Sequence, residues 1–225
     1  MGNIVIIGSS GAIGAEFKKQ LESQHNVICF VRSDGNINFD DEDTIEQAAN
    51  TASQHGPLDM VIVATGLLHG NGLMPEKSLK ELSSNKMEQI FKANTIGPAL
   101  VMKHFLPLLN KDKRSIFAAL SARVGSISDN HLGGWYSYRA SKAALNMLIK
   151  TGSIELARTN KNAVIVGLHP GTVNSGLSKP FQGFVKPGKL FEASYAAKQL
   201  IQVLNNLKPE QTGKCFAYDG SEIPA

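Results

Sequence analysis

Tyr138 and Lys142 lie four residues apart, in the run Tyr138-Arg139-Ala140-Ser141-Lys142. On a helix that spacing sets both side chains on one face. A phenol with its usual pKa of about 10 is a poor acid–base group near neutrality. A cation one turn away favours the ionised form and so suits the phenol to proton transfer. Such a pair recurs by chance in many sequences, so its meaning depends on what else the chain carries.

A second set of residues fits an anionic ligand. Gly8, Gly11 and Gly14 are spaced by three, directly after the apolar run Ile4-Val5-Ile6-Ile7. Residues without a Cβ let the chain turn sharply and bring backbone amides close to a pyrophosphate. The helix expected next, with Ile13, Phe17 and Leu21 along one face, adds free N–H groups and a partial positive charge at its start. The spacing differs from the common G-x-G-x-x-G fingerprint. S-adenosylmethionine sites use a similar turn, so the glycines alone do not identify the ligand. The next strand ends Phe30-Val31-Arg32-Ser33. A carboxylate there favours a free ribose 2′-hydroxyl, whereas an arginine suits a 2′-phosphate. Arg32 therefore predicts NADP(H) in preference to NAD(H); the latter stays open because Asp34 is near.

These residues need a scaffold, and the chain supplies one pattern throughout. Short apolar runs predict strands at 4–7, 27–31, 37–39, 60–64, 115–120, 163–168 and 215–218. Helical periodicity covers 44–55, 86–109 with Gly97-Pro98 inside it, 136–158 and 192–207. Strands alternating with helices predict a parallel sheet covered on both faces. The expected fold is α/β, one Rossmann-type doubly wound domain over residues 1–225, with about seven strands. In such sheets ligands bind at the carboxyl ends of the strands, near the switch in strand order. The turns after Ile7, Val31, Ala64, Leu120 and Leu168 should then line one cleft.

In that order along the chain, the motifs resemble the short-chain dehydrogenase/reductases over essentially its whole length. The resemblance rests on Gly8-Ser9-Ser10-Gly11-Ala12-Ile13-Gly14, Asn94, Ser121, Tyr138 with Lys142, and Pro170-Gly171-Thr172-Val173. The stretch from Ser121 to Ile127 and the tail Tyr218-Asp219-Gly220-Ser221-Glu222-Ile223-Pro224 look like the C-factor-like subgroup. The resemblance implies hydride transfer between NAD(P)H and a carbonyl or secondary alcohol, with Tyr138 as general acid–base. Lys142 would lower its pKa and bind the nicotinamide ribose. It also implies cofactor contacts at Gly8, Ser10, Gly11, Ile13, Gly14, Arg32, Asn38, Phe39, Ala64, Thr65, Gly66, Pro170, Gly171 and Val173. Asn94 matches the family's fourth catalytic position. Pro98, four residues on, has no N–H for the Asn94 carbonyl. A kink there would free that carbonyl to hold a water linking Lys142 to solvent.

The chain departs from the family in three places. The usual serine pair at the end of the fifth strand reads Ser121-Ala122. Ser121 is the nearest match, yet adjacent strand residues face opposite ways, and Ser126 in the following loop is the other candidate. Val63-Ala64-Thr65-Gly66 replaces Asn-Asn-Ala-Gly, and Asn38 stands where an aspartate is usual. The segment 176–188, with Phe181 and Phe184, is expected to cover the substrate. Tyr136 has Ala140 as its i+4 partner and is assigned to substrate lining or packing.

Composition excludes several alternatives. Hydrophobic residues are 42% and charged residues 19% of the 225, ordinary for a folded soluble domain. No apolar stretch reaches the roughly 18–20 residues that span a bilayer, and the N-terminus carries no basic leader. The net charge of +4 is spread among both signs, which argues against a nucleic-acid surface. The six histidines show no paired metal spacing. Two cysteines, Cys29 and Cys215, read as reduced thiols, hence a cytoplasmic protein. Apolar positions in the two long helices, among them Val101, Phe105, Leu108, Met147 and Leu148, suit a homodimer or homotetramer. The substrate would be a small-molecule carbonyl or alcohol. The alternative is a catalytically weak dinucleotide-binding regulator. A methyltransferase gives Tyr138 and Lys142 no role.

Overall fold

The computed structural model describes residues 1–70 and 72–225. The chain opens with β1 (Asn3–Ile7), α1 (Ala12–Leu21), β2 (Asn26–Phe30), α2 (Glu42–Ser53) and β3 (Met60–Val63). Next come α3 (Ser84–Phe91) and α4 (Gly97–Phe105), joined without a break by a π-helical turn over Lys92–Ile96. β4 (Ser115–Leu120), α5 (Tyr136–Leu156) and β5 (Ala163–His169) follow. A small ribbon of β6 (Thr172–Val173) and β7 (Leu190–Phe191) precedes α6 (Ala193–Asn206), β8 (Lys214–Ala217) and β9 (Glu222–Ile223).

The main sheet has seven strands in the order β2-β1-β3-β4-β5-β8-β9. All pairings are parallel except that of β8 with β9. The expected doubly wound α/β architecture is thus present. The strand order reverses at β1, which pairs with β2 on one side and β3 on the other. The glycine turn leaves β1 at that point, where such sheets open a crevice.

Both faces of the sheet are apolar, which is why its strands read as unbroken hydrophobic runs. Val5, Ile7, Val61, Val63, Phe117 and Ile165 pack under α2, α4 and α5 through Ile45, Phe105, Leu145 and Ile149. The alternate residues Ile4, Ile6, Ile62, Ile116, Val164 and Leu168 pack under α1 and α6 through Phe17, Leu21, Leu200 and Leu204. Two dry layers hold the strand ends rigidly at one edge.

Two expectations need correction. Residues 37–39 form no strand; Asn38 makes only an isolated bridge to Asp41. Between the turn at Gly35 and the cap of α2 at Asp41 there is no length to cross over and pair. Ile37 instead drops into the core. Val101 and Phe105, assigned above to a subunit contact, are fully buried within the chain. Met147, Ile154 and Ile96 are the large apolar side chains left exposed on the π turn and α5.

Candidate active site

A cleft of about 970 Å³ lies at the carboxyl ends of the strands. The loops after β1, β3, β4 and β5 meet there, and α5 forms one wall. From the sequence-derived set it gathers Gly11 and Ile13, then Ala64, Thr65 and Gly66, then Ser121, Tyr138 and Lys142, then Pro170, Gly171 and Val173. The residues line one continuous cavity although they span most of the chain.

The glycine turn is built by close approach. Gly8 has φ 87°, a conformation that L side chains rarely adopt. A Cβ on Gly14 would stand 2.2 Å from the Gly8 carbonyl oxygen. Gly11 caps α1 without a side-chain bond, and the first turn of α1 contains no acid. Its N–H groups are left for an anion. Thr65, beside Gly8, buries a hydroxyl with no partner. A polar ligand running from this turn along the cleft would meet the bare amides, so the residues present fit a dinucleotide.

Gly8, Ser10, Gly14, Arg32, Asn38, Phe39 and Asn94 do not line the cavity. Arg32 is exposed at the end of β2, and neighbouring Asp34 accepts a hydrogen bond from Ser33 at 3.0 Å. Asn38 is engaged by its own loop: its N–H donates to Thr44 Oγ1 at 2.8 Å, and its Oδ1 accepts from the Asp40 N–H at 3.1 Å. Phe39 packs against Gly97, where a Cβ would lie 1.9 Å from the ring.

Tyr138 and Lys142 face the same compartment from the first two turns of α5. Both are almost wholly buried, and the Lys142 ammonium lies 5.8 Å from the Tyr138 ring centre. Against the expectation that Lys142 lowers it, burial pushes the Tyr138 phenol up to about 12; burial also pulls Lys142 down to about 8. Lys142 Nζ donates to the Leu120 carbonyl at 2.8 Å, which ties α5 to the end of β4. The helix containing Asn94 does not break at Pro98; it widens. The Gly97 N–H reaches back five residues to Lys92. Consecutive residues of this π turn both grip α5. Asn94 Nδ2 donates to Ser141 Oγ at 3.2 Å, and Thr95 Oγ1 donates to the Ser141 carbonyl at 2.8 Å. Asn94 also holds the loop after β3, exchanging bonds of 2.8 Å with the N–H and carbonyl of Leu67. Ser141, between Tyr138 and Lys142, is thereby pinned. π turns are frequent at functional sites.

The serine question has a geometric answer. Ser121 Oγ donates to Asn146 Oδ1 at 2.6 Å, on the side of the sheet covered by α5. Ser126 accepts from the Asp129 N–H at 3.1 Å within its own turn and lies outside the cavity lining. Ala122 is the residue that packs beside Tyr138 and Leu68. A methyl group therefore occupies the place next to the phenol.

Sequence reasoning missed two residues beside the phenol. Glu76 is 2% exposed. It accepts from the Ser137 N–H at 3.1 Å and also from the Ser137 hydroxyl, while its carbonyl accepts from the Trp135 N–H. A carboxylate from a distant loop thus caps α5. Trp135 has φ 51° immediately before α5, the only non-glycine positive φ among the described residues. Its ring lies 4.9 Å from Phe181 and 6.2 Å from Tyr138, making an aromatic wall beside the phenol. No local pattern announces Glu76, because its partner lies 61 residues away.

Comparison with known proteins agrees with this geometry. A family model described as short chain dehydrogenase matches residues 2–183. C-signal of Myxococcus xanthus is 32% identical over 169 residues, covering 75% of this chain and 93% of that protein. The 1-hydroxy-2-glutathionyl-2-methyl-3-butene dehydrogenase of Rhodococcus sp. is 27% identical over 237 residues, covering 98% of each. In fold, the NADPH-bound carbonyl reductase from chicken fatty liver superposes with a TM-score of 0.84 at 20% identity, covering 100% of this chain and 94% of that one.

Proposed function

Because the chain belongs to the short chain dehydrogenase family, we propose that it interconverts a small-molecule carbonyl and its secondary alcohol with NADP(H), using Tyr138 as general acid–base. The observation that carries this reading is the meeting of Tyr138 and Lys142 on one wall of a cavity whose far end is the glycine turn. The dinucleotide supplies or takes up the hydride. The start of α1, with Gly8, Ser10, Gly11, Ile13 and Gly14 around it, would hold the pyrophosphate. Arg32 would meet a 2′-phosphate, and NADPH in the chicken reductase supports that preference. Residues 64–66 would flank the adenosine, with Asn38 and Phe39 at its outer edge, and Pro170, Gly171 and Val173 the nicotinamide.

The chain's own residues then handle the proton. With its phenol pushed up to about 12, Tyr138 keeps its hydrogen near neutrality. That state suits donation to a carbonyl oxygen in the reductive direction. Lys142, held to the Leu120 carbonyl, stands ready for the ribose and lowers the cost of the phenolate left behind. Asn94, bonded to Ser141 and to the Leu67 loop, anchors the turn of α5 that carries both side chains. The unpaired thiols Cys29 and Cys215 fit a reducing cytoplasm, and exposed Met147 and Ile154 on α5 fit a homodimer or homotetramer.

A second reading, a dinucleotide-binding regulator, is favoured by Ala122 standing where the family sets a hydroxyl. A panel of ketones and aldehydes with NADPH separates the two. Turnover that falls at least about a thousandfold in Tyr138→Phe, with NADPH affinity unchanged, is the expected result. Tight NADPH binding with no turnover on any substrate would establish the regulator instead.

A further inference from the structure

A carbonyl held by Tyr138 alone lacks a second donor to polarise it, because Ala122, Ser121 and Ser126 offer none to the cavity. We propose that His169 supplies that donor: its Nε2–H bonds the substrate carbonyl oxygen beside Tyr138. The assignment rests on the reductase reading above.

Three observations carry it. The first is position. Leu120 of β4 pairs with Leu168 of β5, and the Ser121 N–H donates to the Leu168 carbonyl at 2.8 Å, so His169 is the lateral neighbour of Ser121. Along β5, Leu168 packs on the α1 and α6 side, while a Cβ on Gly167 would lie 3.3 Å from Ser121 Cβ and 3.4 Å from Asn146 Oδ1 on the α5 side. Strand alternation returns His169 to the α5 side, the side of Tyr138 and Lys142. The second is the cavity itself, which His169 lines together with Ala122 and Tyr138.

The third is the hydrogen-bond account of the ring. Nδ1 is buried with no partner. Burial, reinforced by Arg123 and opposed by Asp219, holds the ring down at about 4, so it is neutral near pH 7 and carries one N–H. Placing that hydrogen on sealed Nδ1 would leave a donor with nothing to bond, the rarer and costlier defect. The hydrogen therefore belongs on Nε2, the ring nitrogen not sealed. A preformed donor aimed where carbonyl charge develops is the arrangement that lowers such barriers. Arg123 pairs with Asp129 at 3.1 Å, and Thr65 lies at the glycine-turn end.

The test uses the full chain with saturating NADPH and the carbonyl panel. His169→Leu should lower kcat by about 100–1000-fold, the usual effect of losing one such donor, with NADPH affinity by fluorescence unchanged. His169→Asn should recover part of the loss. Adding Ala122→Ser to His169→Leu should recover more, by returning a hydroxyl to the phenol's side. Nitrogen-15 NMR of the wild-type imidazole should show hydrogen on Nε2, and needs no variant to fold. A His169→Leu protein as fast as wild type, or a ring protonated on Nδ1, overturns the assignment alone. A wild type that binds NADPH and reduces nothing overturns the reductase reading and this assignment with it.

Discussion

Arg32 and Lys142 show how a single charge can be read for what it will do. Arg32 is exposed and makes no ion pair among the described residues. Its guanidinium is thus free for a phosphate, and a charge-assisted bond of about 1.5–3 kcal/mol corresponds to roughly 10–100-fold in affinity. Calorimetric titration of Arg32→Ala should show NADPH weakened by that factor and NADH nearly unaffected; equal loss for both would remove the phosphate role. Lys142 is held down at about 8, against its usual 10.5, by burial. Below pH 8 the fold must keep an ammonium in a place that disfavours it. Between about 8 and 10.5 the unfolded chain binds the extra proton, so stability gained from this group rises with pH across that window. Lys142→Met should therefore melt higher than wild type at pH 7, by a margin that shrinks as pH approaches 10. A constant margin in thermal scans would show that the side chain is not buried as a cation.

At the scale of elements, helix α5 carries the chemistry and its first turn is fixed from outside. Glu76 satisfies both the amide and the hydroxyl of Ser137, one residue before Tyr138. Glu76→Ala leaves those donors buried and unpaired, at a cost of about 1–3 kcal/mol. For a chain of this length that lowers Tm by about 2–4 °C per kcal/mol, readable by circular dichroism. Activity should fall further than the folded fraction, because Tyr138 loses its anchor. The π turn holds the same helix one turn further along, through Ser141. The sequence announced that something happens at Gly97-Pro98, since a missing N–H must be accommodated. It did not announce a widened turn in place of a kink, because that choice depends on Ser141 being in reach.

Over the whole molecule, the strands were legible because both faces of a parallel sheet are buried, so their residues are uniformly apolar. The helices were legible from period, and the glycine turn from spacing. Residues 37–39 misled because two large apolar residues, Ile37 and Phe39, alternating about a polar one look like a short strand whether or not a partner strand exists beside them. The two-residue strands β6, β7 and β9 are too short to leave a periodic signal. Within the candidate site, the residues on strand ends and on α5 were readable from motifs. Glu76, Trp135 and Asn146 were not, since each owes its place to a neighbour far away in sequence.

The widened turn at Lys92–Ile96 has a consequence for how this chain can change. One surplus residue in a helix cannot be swapped out; it can only be removed. Deleting a single position there would let the backbone relax into ordinary winding and swing Asn94 or Thr95 away from Ser141. What is inherited at this spot is a count of residues, and a relative one residue shorter here would have to lock its tyrosine by some other means.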